Sequence, residues 1–205
     1  MAEILRIDPH HPPAHVIAEA KRIIQAGGVI IYPTETLYGL GANPLDPAAM
    51  ERLYAIKGRA AARPIPFLIK DREMLDTLVK EVPPLAEELI KQYWPGPLTL
   101  IFKAKQGLSA AMVGKDGTIG LRISSHPIAQ GICAQLNAAL TATSANRAGE
   151  EDLVDVERIA GIFGDQVDLI IDSGTVSGIG STVVDLTITP PRIVREGMIK
   201  LPHDL

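Results

Sequence analysis

Three cations lie close together in the chain, two in the turn Lys57-Gly58-Arg59 and a third at Arg63. Such a set suits phosphate, because arginine offers a forked pair of donors and lysine a point charge. A helix macrodipole also stabilises a cation at a helix C-terminus, but this accounts for one cation more easily than for three. No Gly-x-x-x-x-Gly-Lys-Ser/Thr motif is present. We therefore predict a nucleotide-phosphate site that is not a Walker-type P-loop.

Two loops place hydroxyl and amide groups beside apolar strands. Thr143-Ser144-Ala145-Asn146 follows one predicted strand, and Gly178-Ile179-Gly180-Ser181-Thr182 leads into another. Sites in α/β proteins often lie at strand ends, and glycine lets a backbone approach a ligand closely. Serine and asparagine also cap helices, so these loops alone do not establish a site. The sequence has no Gly-x-Ser-x-Gly elbow and no evident Ser–His pair, so nucleophilic serine chemistry is not predicted.

Further polar residues occur in otherwise apolar surroundings. The hydroxyls of Thr34-Glu35-Thr36 and Tyr38 suit a small polar ligand, although a capped surface loop explains them equally well. Arg122 shares a predicted strand with Thr118. Alternation along this strand favours an outward Arg122 side chain, whereas an inward one would meet an anion. Arg195, near the end of the last predicted strand, is also consistent with a solvated strand end.

The elements that must position these groups alternate between helices and strands. Asp46 followed by Pro47 is a strong helix start. Residues 34–41 are predicted as a loop, and the tail after Gly197 as loosely ordered. Helices are predicted at 14–26, 47–58, 71–79, 84–93, 126–136 and 154–163, and strands at 29–32, 65–69, 97–102, 118–123, 139–142, 169–171, 181–186 and 192–195. This order predicts an α/β fold, a mixed twisted sheet with helices packed on it, in a single domain over 1–205.

Composition limits the classes of protein. Apolar residues make up 46 % and aromatic residues 4 % of the 205 positions, so the core must be built mainly from aliphatic side chains. The net charge of −4 weighs against extensive nucleic-acid binding. Cys133 is the only cysteine, which excludes an internal disulfide and favours a buried core thiol. No signal-peptide pattern or apolar run of ~18 residues occurs, so a cytoplasmic protein is expected.

The order and spacing of these segments resemble those of YrdC-like domains, the threonylcarbamoyl-adenylate synthase family. The resemblance extends from about residue 23 to 199, nearly the whole chain, and implies a twisted mixed sheet around a concave ligand cavity. The segments that carry it are GGVIIYPTETLYGLG at 27–41, KGR at 57–59, WPGPLTL at 94–100, TIGLR at 118–122, TSAN at 143–146, GSTVVD at 180–185 and REG at 195–197.

The resemblance implies an enzyme that makes threonylcarbamoyl-AMP and pyrophosphate from ATP, bicarbonate and L-threonine. Mg²⁺ would enter with the nucleotide, without a tightly bound protein-ligated metal. It further implies that the product serves tRNA modification through separate threonylcarbamoyl transferase proteins. The implied catalytic tetrad is Lys57, Arg59, Ser144 and Asn146. The implied ATP side is Arg59, Arg63, Thr118, Ser144 and Arg195, and the implied threonine side is Thr36, Arg122 and Ser181.

Several positions depart from the family pattern and leave alternatives open. Arg63 stands where the family often has lysine or asparagine, and Leu68 lies near a position where many members have histidine. Asp152 replaces a loop serine and is expected to face away from phosphates or to make no contact with them. These differences allow a YciO-like paralogue with another substrate. A further alternative is a module that binds double-stranded RNA or tRNA. Glu35 is a candidate general base.

Overall fold

The computed structural model of the protein describes residues 1–9, 11–58 and 65–202. Within these ranges the chain forms six helices, and none of them is long and apolar enough to cross a membrane. The helices are α1 (Ala14–Gln25), α2 (Pro47–Lys57), α3 (Arg72–Leu78), α4 (Pro84–Tyr93), α5 (Pro127–Leu136) and α6 (Val156–Phe163). Each lies within two residues of a predicted helix at both ends.

Helix α2 begins and ends as its sequence predicts. The Asp46 carboxylate accepts hydrogen bonds from the amides of Ala48 and Ala49, at 2.9 and 3.2 Å, and Pro47 occupies the first turn. Gly58 ends the helix in the left-handed conformation with φ +62°, which glycine adopts at little cost. These caps fix Lys57 in the last turn of the helix, at the start of the cationic segment.

The described residues form eleven strands arranged in two hydrogen-bonded sheets, where the sequence analysis expected one. The first sheet has the order β1-β9-β2-β3-β8 and the second the order β11-β10-β5-β6-β4-β7, and both mix parallel and antiparallel neighbours. The strands are β1 (Glu3–Arg6), β2 (Ile30–Tyr32), β3 (Gly39–Gly41), β4 (Phe67–Leu68), β5 (Leu98–Lys103), β6 (Thr118–Arg122), β7 (Leu140–Thr141), β8 (Thr143–Ser144), β9 (Leu169–Asp172), β10 (Thr182–Asp185) and β11 (Arg192–Arg195). The mixed α/β class itself is as predicted.

The first sheet is buried on both faces, which explains why its central strands are apolar throughout. Ile31 packs in one core cluster with residues of α2 and α6. Ile30 and Tyr32, on the opposite face of the same strand, pack in another cluster with residues of α1 and α5. The sheet is thus held between two helical layers, and its strand ends are fixed in place.

Residues 39–41 form β3, so the prediction of a loop through residue 41 was wrong there. Glycine is uncommon in strands because it has no side chain to pack. Here the glycines make room for an aromatic ring, since a Cβ on Gly39 would lie 3.0 Å from the Tyr32 ring and one on Gly41 2.9 Å from it. The Tyr32 hydroxyl donates to the Thr141 carbonyl at 2.8 Å. Strand β1, at the edge of the same sheet, was also missed.

The residues after β11 are held against β10, which corrects the prediction of a loosely ordered tail for those described. The Thr182 hydroxyl accepts from the amides of Gly197 and Ile199, both at 3.1 Å, and donates to the Ile199 carbonyl at 2.6 Å. A Cβ on Gly197 would overlap the Gly180 carbonyl oxygen and lie 2.5 Å from the Ser181 carbonyl carbon. Only glycine therefore fits at this crossing of two backbones.

Gly197→Ala is expected to lower the free energy of unfolding by about 1–3 kcal/mol, because backbone atoms must move to admit the methyl group. Gly161→Ala is a matched control: Gly161 lies on α6 with nothing within 4 Å of the added Cβ. There the same substitution should stabilise the protein by up to about 1 kcal/mol. Chemical denaturation of both variants measures the difference, and equal stabilities would show that the crossing is not tight.

Candidate functional site

A cavity of about 450 Å³ opens between the two sheets, with walls contributed by both. Eight of the ten residues of the implied tetrad, ATP side and threonine side line it, and the other two, Arg59 and Arg63, lie outside the described residues. The eight are Thr36, Lys57, Thr118, Arg122, Ser144, Asn146, Ser181 and Arg195. The fold thus gathers into one cavity groups that are spread over 160 positions of the chain.

The second sheet has one face in the core and one on the cavity, as strand β6 shows. Ile119 and Leu121 pack in a core cluster, whereas Thr118, Gly120 and Arg122 line the cavity. Side chains of successive strand residues point to opposite faces, so the alternation in the sequence correctly predicted that Arg122 lies on the face opposite the core. The outward interpretation of Arg122 was nevertheless wrong, because the face opposite the core is a cavity wall and not bulk solvent.

Arg122 is a buried cation with part of its hydrogen-bonding capacity unused. The residue is 5 % exposed. Its Nη1 lies 3.2 Å from Glu35 Oε1 and donates to Thr36 Oγ1 at 3.0 Å. Its Nε and Nη2 groups make no hydrogen bond to any described residue. A buried guanidinium with free donors on a cavity wall is suited to an anionic group of a ligand.

The loop at residues 34–38, which contacts Arg122, is buried apart from the half-buried Glu35, and this corrects its interpretation as a surface loop. Thr34 and Thr36 are 2 % and 3 % exposed. The Thr34 hydroxyl accepts from the amides of Thr36 and Leu37 and donates to the Leu37 carbonyl at 2.6 Å, which closes a tight turn. The Tyr38 hydroxyl donates to the Gly174 carbonyl at 2.5 Å. These bonds hold the Thr36 hydroxyl at the cavity wall beside Arg122.

Lys57 connects α2 to the loop after β8. Its ammonium donates to the carbonyl oxygen of Ser144 at 2.7 Å and to two oxygens of Asn146, the carbonyl at 2.5 Å and Oδ1 at 2.8 Å. The Ser144 hydroxyl donates to the same Oδ1 at 2.6 Å, and Asn146 Nδ2 donates to the Glu150 carbonyl. Three members of the predicted tetrad therefore form one connected network on the cavity wall.

Arg195 reaches the cavity because of a β-bulge. In the pairing of β10 with β11, Val183 lies opposite Arg195 and Val184 opposite Ile193, so Val194 is an extra residue on β11. Val184 packs in the core and Val183 lines the cavity. In a regular strand Arg195 would point to the same, core-facing side as Ile193, which lies two residues before it. The bulge instead turns the Arg195 side chain to the cavity side.

The Arg195 guanidinium contacts Ser181 directly. Nε and Nη2 donate to the Ser181 carbonyl at 3.1 and 2.8 Å, and Nη2 is 3.1 Å from the Ser181 hydroxyl. That hydroxyl is also 2.8 Å from Thr99 Oγ1. A Cβ on Gly180 would lie 3.3 Å from the guanidinium, so glycine leaves room for this contact. The structure thus joins one residue of the predicted ATP side to one of the predicted threonine side.

Asp152 lines the cavity, so the expectation that it faces away was wrong, while the alternative that it makes no contact with phosphates stays a prediction. It is the one acidic residue among the described residues of the cavity wall. Partial burial lowers the pKa of the Arg195 guanidinium, and the negative charge of Asp152 opposes that shift. Arg195 stays protonated at neutral pH, since arginine is effectively always charged in proteins. The cavity wall therefore carries charges of both signs.

Cys133 is a core thiol, as predicted. It is 1 % exposed and packs in the cluster between α1, α5 and the first sheet. Burial raises the pKa of its thiol to about 12. The thiol is therefore protonated at neutral pH and is not a nucleophile for the chemistry of the cavity.

The fold and the cavity define a class of protein: a mixed α/β domain with a cationic, hydroxyl-lined cavity between two sheets. The Sua5/YciO/YrdC family model, described as telomere recombination, matches residues 22–197. The chain belongs to this family.

Curated relatives agree with this assignment. A threonylcarbamoyl-AMP synthase of Pyrococcus abyssi is 38 % identical over 183 residues, which cover 89 % of this chain and 54 % of the relative. The chain thus spans about half the length of that relative. The threonylcarbamoyl-AMP synthase of Chromobacterium violaceum is 35 % identical over 159 residues, which cover 78 % of this chain and 82 % of the relative.

Solved structures match the fold closely. P. abyssi Sua5 complexed with L-threonine superimposes with a TM-score of 0.89 at 35 % identity, over 96 % of this chain and 57 % of that chain. E. coli YciO superimposes with a TM-score of 0.92 at 34 % identity, and each chain is covered completely. The similar structures therefore include both a Sua5 and a YciO protein.

Proposed function

We propose that the protein is a threonylcarbamoyl-AMP synthase, which forms threonylcarbamoyl-AMP and pyrophosphate from L-threonine, bicarbonate and ATP. The observation that carries the proposal is the cavity, which combines a buried guanidinium with free donors, further cations and hydroxyl groups. Relatives that cover most of the chain bear the name of this enzyme, and one similar structure holds L-threonine. The cavity volume lies within the range of small-molecule sites.

The threonine side of the proposed site is Thr36, Arg122 and Ser181. The free Nε and Nη2 donors of Arg122 suit a bidentate interaction with the amino acid's carboxylate. Its Nη1 is already engaged by Glu35 and Thr36, which would fix the plane of the guanidinium before the ligand arrives. Such preorganisation reduces the entropy lost on binding.

The ATP side of the proposed site is Arg59, Arg63, Thr118, Ser144 and Arg195, and Lys57 and Asn146 complete the tetrad. Lys57, Ser144 and Asn146 already form one hydrogen-bonded network. The positive charge of Lys57 would favour a triphosphate nearby, while its hydrogen bonds hold the loop of Ser144 and Asn146 in shape. The roles of Arg59 and Arg63 rest on the sequence alone.

The proposed chemistry needs positioning and charge stabilisation more than covalent help from the protein. The amine of L-threonine adds to bicarbonate to give a carbamate, with loss of water. A carbamate oxygen then attacks the α-phosphorus of ATP. The bond between this phosphorus and the oxygen that bridges to the β-phosphate breaks, and pyrophosphate leaves. Fixed cations would stabilise the negative charge that builds up on the phosphate oxygens.

Mg²⁺ would enter this reaction with the ATP phosphates, as part of the substrate. Among the residues that the structure describes, no group of three or more His, Cys, Asp or Glu side chains could hold a metal ion. The proposal includes a cytoplasmic location and delivery of the product to tRNA-modifying threonylcarbamoyl transferase proteins.

A second candidate is a YciO-like paralogue that binds a nucleotide but acts on another substrate. The observation that favours it is the match to E. coli YciO over the full length of both chains. One assay separates the two candidates: pyrophosphate release from ATP and bicarbonate, with each amino acid in turn. Strong preference for L-threonine would support the synthase. No turnover with any amino acid would contradict it and favour the paralogue.

Asp152→Asn is expected to lower the KM for ATP by about threefold at low ionic strength, because it removes a negative charge near the proposed phosphate position. The effect should shrink as salt is added. Glu151→Gln is the matched control, since this neighbouring carboxylate does not line the cavity among the described residues and lies 3.9 Å from Arg158. Steady-state kinetics at two salt concentrations measure both variants, and an unchanged or higher KM for Asp152→Asn would place ATP elsewhere.

A further inference from the structure

Glu35 contacts the cavity's buried arginine but is not itself among the described residues of the wall. Both of its carboxylate oxygens are engaged. Oε1 lies 3.2 Å from Arg122 Nη1, and Oε2 accepts a hydrogen bond from the Ser124 hydroxyl. The Glu35 side chain is 14 % exposed. A general base must come within hydrogen-bond reach of the proton it removes, and this carboxylate instead lies against Arg122.

Ser124 is in turn held by helix α5. The Ser124 hydroxyl accepts from the His126 amide at 3.2 Å, and Gln130 Nε2 on the helix donates to the Ser124 carbonyl at 2.6 Å. The contacts thus run from a regular helix through Ser124 and Glu35 to one edge of the guanidinium. These contacts hold the guanidinium of Arg122 at Nη1 and leave its Nε and Nη2 groups available to a ligand.

We infer that Glu35, supported by Ser124, is a positioning residue that orients the Arg122 guanidinium for the carboxylate of an amino-acid ligand. The inference rests on the proposed function, because it takes L-threonine as that ligand. Glu35 also neutralises Arg122 when the cavity is empty, since each member of a buried ion pair needs a partner of opposite charge. When one edge of the planar guanidinium is held in place, its other edge is free to bind a carboxylate through two hydrogen bonds.

Calorimetric titration of Glu35→Gln with L-threonine tests the inference, because glutamine keeps the volume of the side chain and removes its charge. The dissociation constant should rise about tenfold, the scale of one hydrogen bond to a charged group. The kcat at saturating threonine, the KM for ATP and the pH profile of kcat should stay as in the wild type. A fall in kcat of about 10²–10⁴ with unchanged threonine binding would instead identify Glu35 as the general base and overturn the inference.

Two further variants separate positioning from general loss of stability. Ser124→Ala removes one partner of Glu35 and keeps the ion pair, so the dissociation constant should rise by a smaller factor, about threefold. Asp168→Asn removes a carboxylate that pairs with Arg52 at 2.6 Å, and Asp168 is not among the described residues of the cavity wall. It should leave threonine binding unchanged even if it lowers the melting temperature. A rise for Asp168→Asn equal to that for Glu35→Gln would overturn the inference.

Failure of the inference can be told from failure of the proposed function. Unchanged threonine affinity in Glu35→Gln, with normal binding by the wild type, would overturn the positioning role alone. Absence of any threonine binding by the wild-type protein would overturn the proposed function, and the role of Glu35 with it.

Discussion

Arg122→Met is expected to lower kcat/KM for L-threonine by at least about a hundredfold. Truncating one partner of a buried, hydrogen-bonded charge pair costs about 2–5 kcal/mol of binding free energy. The guanidinium is also the buried cation beside Glu35, so its removal leaves that carboxylate unpaired. Loss of one partner of a buried pair destabilises a protein by about 3–5 kcal/mol. Pyrophosphate release at varied threonine concentrations measures the first effect, and chemical denaturation the second.

The double variant Arg122→Met with Glu35→Gln separates the two effects. It removes both charges, so much of the lost stability should return, because a buried ion pair can often be replaced by neutral groups without net cost. Threonine-dependent activity should stay low, since no cation is left for the carboxylate. Recovery of activity together with stability would show that Arg122 serves the fold and not the ligand.

Lys57→Met should reduce pyrophosphate release by at least about a hundredfold and destabilise the protein by about 3 kcal/mol. The ammonium donates to three oxygens of Ser144 and Asn146. Each buried acceptor that loses its donor costs about 1–3 kcal/mol unless water replaces it. The loop after β8 would also lose the cation that holds it beside the proposed phosphate position. Kinetics with varied ATP and thermal unfolding measure the two effects.

Two controls define what the Lys57 result means. Ser144→Ala removes the hydroxyl proposed for the ATP side and its bond to Asn146 Oδ1 but keeps the three hydrogen bonds of Lys57, so it should lower activity while costing less stability than Lys57→Met. Lys91→Met removes an exposed lysine of α4, outside the described cavity wall, and should change neither activity nor stability. If Lys57→Met kept full activity, the tetrad would not form the ATP side of the site.

Local structure could be predicted from the sequence where the residues that determine it lie within one short segment. The start of α2 needed only Asp46 and Pro47, and its end only Gly58, because capping and backbone freedom depend on neighbouring residues. The strand predicted at 29–32 is present as β2, whose three residues are all buried. Strand β3 gave no such signal, because its glycines are explained by the Tyr32 ring of the paired strand.

The grouping of the candidate residues was implied by the resemblance of whole segments to YrdC-like domains, and eight of those residues line one cavity. No single segment indicated it, since Ser144 and Asn146 could have been helix caps. Arg122 shows why alternation alone was not enough. Periodicity tells which side chains share a face of a strand, but it does not tell whether the face opposite the core meets solvent or a cavity.

The sequence by itself determined the class of fold and the caps of α2, and its resemblance to YrdC-like domains named eight residues that the fold brings into one cavity. Tertiary structure alone decided how those residues meet. Arg195 turns to the cavity because of a bulge between two strands, Glu35 contacts Arg122 across 87 positions of the chain, and Lys57 contacts Asn146 across 89. Contacts of this kind depend on pairing register and on packing between distant elements, and no local pattern encodes them.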